Sequence, residues 1–327
     1  MKNFRRVILR KILNSLITLF LVIVINFALF RMMPGDPVNF MVPSDPKIPE
    51  AYKLELIDKY GLNDSLSEQF ITYITGILTL DFGESFIYKN TLAMDHVLEY
   101  MTWTLLLVGI ASFLMVVIGM FIGIVSAWKR GSKFDTGSLA FGLFFYAMPT
   151  FWLAMMMIML FAKAWPLFPS QRALEIGETF HFTLDSFIDL ANHLVLPVIT
   201  LVLVYIATYS LLMRGALTDV MTEDYITTAR AKGLGEMAVL KNHAVPNAML
   251  PMIALIAITI AYIVSGAFMV EFVFEYPGVG WLTVDAVMQE DWPVLQAAFF
   301  LIAVAVILAN LFADIAMVYF DPRVELG

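Results

Sequence analysis

The sequence contains no cysteine and few charged residues. Without Cys among its 327 residues, the chain has no disulfide, thiol nucleophile or thiolate metal site. Its four His residues lack the spacing of a ligand set, so we predict no metal site. Only 15% of the residues are charged and 60% are hydrophobic, more than a soluble core of this length needs. The composition therefore indicates a membrane protein.

Six apolar runs reach or approach the ~20 residues that a helix needs to cross the hydrocarbon of a bilayer. They lie near Ile12–Phe30, Trp103–Trp128, Ser138–Ala162, His193–Met213, Met252–Val270 and Val294–Val318. Period-2 alternation is absent, and lipid requires that backbone hydrogen bonds be made internally. We therefore predict an all-α polytopic membrane protein with six transmembrane helices, with kinks at Pro149 and Pro197.

The first run follows several basic residues, so a cleaved signal peptide is the alternative to a membrane anchor. Its apolar core is too long for that alternative, and Arg31-Met32-Met33-Pro34 does not resemble a small-residue cleavage site. Retained as an anchor, the run divides the chain into 1–30, an extracytoplasmic loop subdomain at 31–102 and a core membrane domain at 103–327.

The charges predict the orientation. If the N-terminus lies inside, most Lys and Arg residues fall in inner segments and most Asp and Glu residues fall in outer ones. Both termini are then cytoplasmic in a multi-pass protein of the plasma membrane, which is the inner membrane in a Gram-negative host. The net charge of −8 argues against nucleic acid as a partner. Outer loop 271–293 is predicted to dip back over the bundle.

The inner loop 214–251 has the pattern of two short helices. Thr222 is a candidate N-cap for a helix from Glu223, and Arg230 in its last turn suits the helix dipole. Gly233 and Gly235 allow the chain to reverse, because glycine tolerates positive φ.

Beyond this reversal, Pro246 and Pro251 are predicted to break any continuous helix into the fifth run. The alternative is a solvated linker. A helix, a glycine break and a second amphipathic segment favour instead a loop that docks on a partner surface.

This loop, at Asp224–Leu234 and His243–Pro251, resembles the EAA loop of ABC importer permeases, in the form of the B-type subunit of the dipeptide/oligopeptide/nickel family. Thr227, Thr228 and His243 depart from the general pattern but suit that subgroup. Further motifs lie elsewhere along the chain, in the order that the family shows. They are Met33-Pro34-Gly35-Asp36-Pro37, Leu80-Asp81-Phe82-Gly83-Glu84-Ser85, Met148-Pro149-Thr150-Phe151-Trp152-Leu153, Tyr276-Pro277-Gly278-Val279-Gly280 and Asp321-Pro322-Arg323.

The resemblance implies an ABC type I importer permease fold whose loop couples transport to a separate ATPase. It assigns coupling to Asp224, Tyr225, Ala229, Arg230, Ala231, Lys232, Gly233, Leu234 and Pro246. The implied partners are a second, C-type permease subunit, two ATP-binding subunits that carry ATP and Mg²⁺, and an extracytoplasmic binding protein, all within membrane lipid. This chain has no phosphate-binding loop and no catalytic motif, so it is not predicted to be an enzyme and binds no cofactor itself.

Polar residues within the runs are candidates to line a translocation path. They are Tyr205, Thr208, Tyr209, Asn310 and Asp314. The alternative is helix-helix packing, with Asp314 paired to Arg214.

The family's cargo is most often peptide, and nickel chelates, glutathione and oligosaccharides remain alternatives. A secondary transporter or channel is a more remote interpretation, because inverted repeats and a filter-like loop are not evident.

Overall fold

A computed structural model of the protein describes residues 2–32, 63–88, 91–265 and 267–320. In these ranges the regular structure is helical, apart from one bridge between Glu84 and Leu92. The helices are α1 (Lys2–Met32), α2 (Leu66–Thr79), α3 (Ala93–Trp128), α4 (Lys133–Tyr146), α5 (Thr150–Ile158), α6 (Leu184–Val220), α7 (Asp224–Ala231), α8 (Glu236–Val239), α9 (Val245–Ser265), α10 (Phe268–Val273), α11 (Val279–Met288) and α12 (Trp292–Phe320). Two π-helical turns, Met159–Ala164 and Leu240–Ala244, follow α5 and α8.

Within the described ranges, four helices are long and apolar enough to cross a membrane. The apolar segments are Ile8–Leu29 of α1, all of α3 (Ala93–Trp128), all of α6 (Leu184–Val220) and Trp292–Leu311 of α12. A fifth candidate is the pair formed by α4 and the helical segment from Thr150 to Ala164, which bend by 97° at a short break. Pro149 caps the second member of this pair, as expected where a proline removes a backbone donor and restricts the preceding residue. Pro197, by contrast, lies inside the unbroken α6.

The predicted fifth run does not form one helix in the described residues. Helix α9 ends at Ser265, and Phe268–Val273 forms the separate helix α10. By length and composition the structure gives four spans, or five with the bent pair, so the predicted total of six is not confirmed. The motifs at 33–37 and 321–323 lie outside the described residues, as do residues 33–62 and 89–90 of the predicted subdomain at 31–102.

Helices α3 and α6 make the largest helix-helix contact in the described part of the chain. Two glycines one turn apart on α3, Gly119 and Gly123, permit this close approach. A Cβ atom at Gly119 would lie 2.7 Å from the Tyr209 Cβ, and one at Gly123 would lie 2.6 Å from the Ser210 carbonyl oxygen. The spacing is the small-xxx-small pattern of membrane helix pairs, and it was visible in the sequence.

Helix α2 packs against the bundle rather than apart from it. Its start is fixed by a capping box, in which the Ser65 hydroxyl accepts from the Glu68 amide and the Glu68 carboxylate accepts from the Ser65 amide. The buried Asn26 of α1 donates from Nδ2 to the Tyr73 hydroxyl at 2.9 Å and to the Gln296 carbonyl at 3.2 Å. One amide side chain thus joins α1, α2 and α12.

Candidate functional site

The predicted coupling segment contains helix α7 and the turn that follows it. Its N-cap is Glu223 in an extended conformation, without a side-chain cap hydrogen bond. The prediction that Thr222 caps this helix is wrong, because its hydroxyl instead donates to the Asp219 carbonyl at 2.7 Å. Asp224 in the first turn and Arg230 in the last complement the helix dipole as expected.

One face of α7 is buried against the bundle. Ile226 is fully buried and Ala229 is 5% exposed, in a core that also contains Leu217 near the end of α6. Residues three apart lie on one face of a helix, so these two side chains attach α7 to its own chain. Ala229, one of the predicted coupling residues, therefore faces the bundle.

The opposite face is exposed to solvent. Among the predicted coupling residues, the exposed ones are Asp224, Tyr225, Arg230, Ala231, Lys232, Gly233, Leu234 and Pro246. Tyr225, with 41% of its surface accessible, and Leu234, equally exposed, add apolar area to this charged face. The arrangement is a helix anchored by one side and free on the other, which is the geometry of a docking element.

The turn after α7 depends on a glycine conformation. Gly233 has a φ of +83°, in the left-handed region that favours glycine, and its amide donates to the Arg230 carbonyl at 2.9 Å. Gly235 is the extended N-cap of α8. The predicted reversal is therefore present, and Gly233 is the residue that requires glycine.

Arg230 forms a two-point ion pair across this turn. Its Nε donates to Oε1 of Glu236 at 2.8 Å and its Nη2 donates to Oε2 at 3.2 Å. The hydrogen bonds from Arg230 lower the pKa of the Glu236 carboxyl. Sequence analysis did not single out Glu236. Because both side chains are solvent-exposed, an acidic group on a partner can compete with it for Arg230.

The prediction that Pro246 and Pro251 break the helix is wrong. The backbone is helical from Glu236 to Ser265, with the π-helical turn Leu240–Ala244 directly before Pro246. A π turn widens the helix, which relieves the clash between a proline ring and the carbonyl four residues earlier. Helix α8 is therefore continuous with α9 through this π-helical turn.

The residues proposed to line a path differ in their exposure. Tyr209 is buried and its hydroxyl hydrogen-bonds to that of Thr259, whereas Tyr205 is exposed on the same helix. Thr208 is half-buried and Asn310 is exposed. The side chain of Asp314 lies outside the described residues. The path assignment stays a prediction.

An ion pair that sequence analysis missed lies at one end of α6. Arg214 contacts Asp135 of α4, with Nε to Oδ1 at 2.6 Å and Nη2 to Oδ2 at 2.9 Å. Both carboxylate oxygens of Asp135 engage the guanidinium. The predicted pairing of Arg214 with Asp314 stays a prediction, because the side chain of Asp314 lies outside the described residues. The sequence offered no signal for the pairing with Asp135, which lies far away along the chain.

A second buried acid holds the Tyr276–Gly280 motif. The Glu271 carboxylate accepts from the Gly280 amide at 2.7 Å and from the Thr104 hydroxyl at 3.0 Å. Burial raises the pKa of the Glu271 carboxyl, and these hydrogen bonds oppose the rise. Thr104 Oγ1 in turn accepts from the Val279 amide at 2.8 Å. The loop after α10 is thereby fixed to α3.

Comparison with known proteins agrees with this architecture. A family described as the binding-protein-dependent transport system inner membrane component matches residues 119–326. The chain belongs to this family. The family's N-terminal membrane component also matches, over residues 4–89. Together the two matches cover the coupling segment and every described helix except the first part of α3 and the start of α1, and they confirm the predicted importer permease fold.

Three relatives of this family align along nearly their whole length. The oligopeptide transport system permease protein AppB of Bacillus subtilis is 35% identical over 97% of this chain and 98% of its own. The di/tripeptide transport system permease protein DppB of Pseudomonas aeruginosa is 32% identical over 94% and 95%. The dipeptide transport system permease protein DppB of Escherichia coli K12 is 33% identical over 97% and 98%. The resemblance to B-type permeases is confirmed, and the chain is a membrane permease rather than an ATPase.

Proposed function

We propose that this chain is one transmembrane subunit of an ATP-driven importer that takes up di- and oligopeptides by alternating access. The observation that carries the proposal is helix α7, whose Ile226 and Ala229 are buried in the core of the chain while its other face is exposed. The names of the relatives, which are oligopeptide, di/tripeptide and dipeptide permeases, support peptide as the cargo.

The complex comprises a second, C-type permease subunit, two ATP-binding subunits carrying ATP and Mg²⁺, and an extracytoplasmic binding protein. Arg230 and Lys232 offer charge-assisted hydrogen bonds to an ATP-binding subunit, and Tyr225 and Leu234 offer apolar contact. The chain lies in the plasma membrane with both termini in the cytoplasm, so α7 meets the ATPase on the side where ATP is available.

The test is peptide uptake by the purified complex in proteoliposomes, with radiolabelled dialanine as the probe. Gly233→Glu places a side chain in the left-handed region within the docking face, so we expect normal membrane insertion, retained basal ATP hydrolysis and loss of uptake. Gly177→Glu is the matched control, since Gly177 has a φ of +87° and open space around it but lies outside the coupling segment. Normal uptake by Gly233→Glu contradicts the coupling assignment.

The alternative cargoes are tested in the same vesicles. Excess nickel chelate, glutathione or oligosaccharide should leave dialanine uptake unchanged. Competition by one of them, together with its own ATP-dependent uptake, would replace peptide as the cargo and leave the importer architecture intact. Uptake that persists without ATP and follows an ion gradient would favour a secondary transporter.

A further inference from the structure

Asp135 of α4 and Arg214 of α6 form a two-point ion pair between two helices of the bundle. Asp135 is 3% exposed, and its carboxylate accepts hydrogen bonds from two nitrogen atoms of the Arg214 guanidinium, Nε and Nη2. Its Oδ2 atom also accepts from the Gly131 amide at 2.9 Å, so the carboxylate is fixed to the turn before α4. A two-point ion pair of this kind, with Asp135 buried and Arg214 partly exposed, sets both the distance and the orientation between the two groups.

The packing of α4 against α6 does not depend on this ion pair alone. Further along the same contact, a Cβ atom at Gly142 would lie 3.2 Å from the Ala207 Cβ, so the helices also meet through small apolar residues. Apolar residues of similar volume often stabilise a buried site as well as an ion pair does. What the ion pair adds is a rigid, directional connection at one end of α6.

That end of α6 leads directly to the coupling segment. Helix α6 ends at Val220, and α7 begins at Asp224 after a short turn. Leu217 of α6 and Ile226 of α7 are both fully buried in one core cluster. Because close-packed side chains transmit displacement, α7 and the end of α6 are expected to move together.

On the other side of the pair, α4 leads to the bent span. Helix α4 ends at Tyr146, and α5 begins at Thr150 after the 97° bend. A short break between two helices is where a hinge can absorb a change in backbone angles. The pair thus lies between the docking helix and the hinge.

We propose that Asp135 and Arg214 form a strut that transmits movement of α7 to the bent span α4–α5. The two residues are positioning residues, since neither is expected to touch cargo or nucleotide. The inference rests on the proposed function, because it takes the movement of α7 to come from an ATP-binding partner. Without the strut, α7 still moves with its partner, but α4 no longer follows.

The test measures two distances in the assembled complex in nanodiscs. The chain has no cysteine, so spin labels can be placed on it at chosen positions. Two double variants are labelled. Thr227→Cys with Phe113→Cys measures the distance from α7 to α3, and Phe144→Cys with Phe113→Cys measures the distance from α4 to α3. All three side chains are exposed in this chain. Distances are compared with and without ATP and vanadate.

In the parent chain, ATP with vanadate is expected to shift both distances. Asp135→Asn should keep the shift at Thr227 and lose most of the shift at Phe144. Arg214→Lys keeps the buried charges balanced while removing the fork, so it should fold even where Asp135→Asn does not and show the same loss. Ser138→Ala is the control, because the Ser138 hydroxyl bonds to Ser126 of α3 and to the backbone carbonyl of Asp135 but not to α6 or to the Asp135 carboxylate, and it should keep both shifts.

The results separate the two proposals. If both shifts persist in Arg214→Lys and in Asp135→Asn, the strut is refuted. If Ser138→Ala loses the Phe144 shift as fully as they do, the effect is general loosening of α4 and the strut is refuted as well. If the parent chain shows no shift at Thr227 while the associated ATPase is active, the proposed coupling function itself fails.

Discussion

Adding one methyl group at the contact between α3 and α6 is expected to destabilise the bundle. In Gly123→Ala the new Cβ would lie 2.6 Å from the Ser210 carbonyl oxygen and 2.8 Å from the Met213 Cβ. Ordinary van der Waals contact begins at 3.4 Å, so the shortfalls are 0.8 and 0.6 Å. Neither neighbour is the flexible end of a side chain. The helices must therefore separate by several tenths of an ångström.

The cost of that separation can be bounded. Forcing an extra methyl group into a close-packed site costs ~1–3 kcal/mol of unfolding free energy. The loss is partly offset, because replacing glycine by alanine in a helix interior gains ~0.5–1 kcal/mol. We therefore expect a net destabilisation of up to about 2 kcal/mol for Gly123→Ala. Gly109, on the same helix, has no atom within 4 Å of its added Cβ, so Gly109→Ala should show only the gain.

The assay is unfolding of the purified protein in mild detergent by titration with a denaturing detergent, followed by far-ultraviolet circular dichroism. The two variants should shift the midpoint in opposite directions, Gly123→Ala to lower and Gly109→Ala to higher concentration. Equal shifts of the same sign would refute the close approach of α3 and α6 at Gly123.

The remaining predictions concern the outer loop and α2. Glu271→Gln keeps the shape of the buried acid but turns an amide donor towards groups that already donate. It should lower the free energy of unfolding by about 1–3 kcal/mol in the same titration. An unchanged midpoint would contradict the hydrogen-bond pattern. Gly278→Ala would bring a Cβ within 2.4 Å of the Glu271 carboxyl carbon and 2.6 Å of Thr104 Oγ1, so it should destabilise by ~1–3 kcal/mol, and a stabilised protein would contradict the packing. Ser65→Ala removes the capping box and should weaken α2 by ~1 kcal/mol, detected as faster amide hydrogen exchange at its first turn; unchanged exchange would show that the cap does not hold α2.

The main helices could be predicted because lipid imposes a strong local signal. A span needs ~20 apolar residues in sequence, and such runs are visible without knowing their neighbours. The signal weakens where a run is interrupted, as at Pro149 and after Ser265, because composition alone does not show whether a break bends one span or ends it. At Pro246 the sequence predicted a break that the structure does not have. The π-helical turn before this proline accommodates it, and the helix continues.

The coupling segment was predicted from its resemblance to a family, but the orientation of its side chains required the structure. Ile226 and Ala229 lie three residues apart, and this spacing could have indicated the buried face of α7. The contact between Asp135 and Arg214 had no local signal, because pairing between distant residues depends on how helices pack. Gly119 and Gly123, in contrast, carried a readable pattern that the sequence analysis did not use.

The central claim is that the exposed face of α7 binds a separate ATPase. Its most direct test is cross-linking in native membranes with a photoreactive amino acid at Thr227, compared with the same group at Gly177. We predict an adduct at Thr227 that contains a P-loop ATPase, identified by mass spectrometry, and none at Gly177. A chain that purifies alone, without an ATPase adduct at Thr227, would contradict the account.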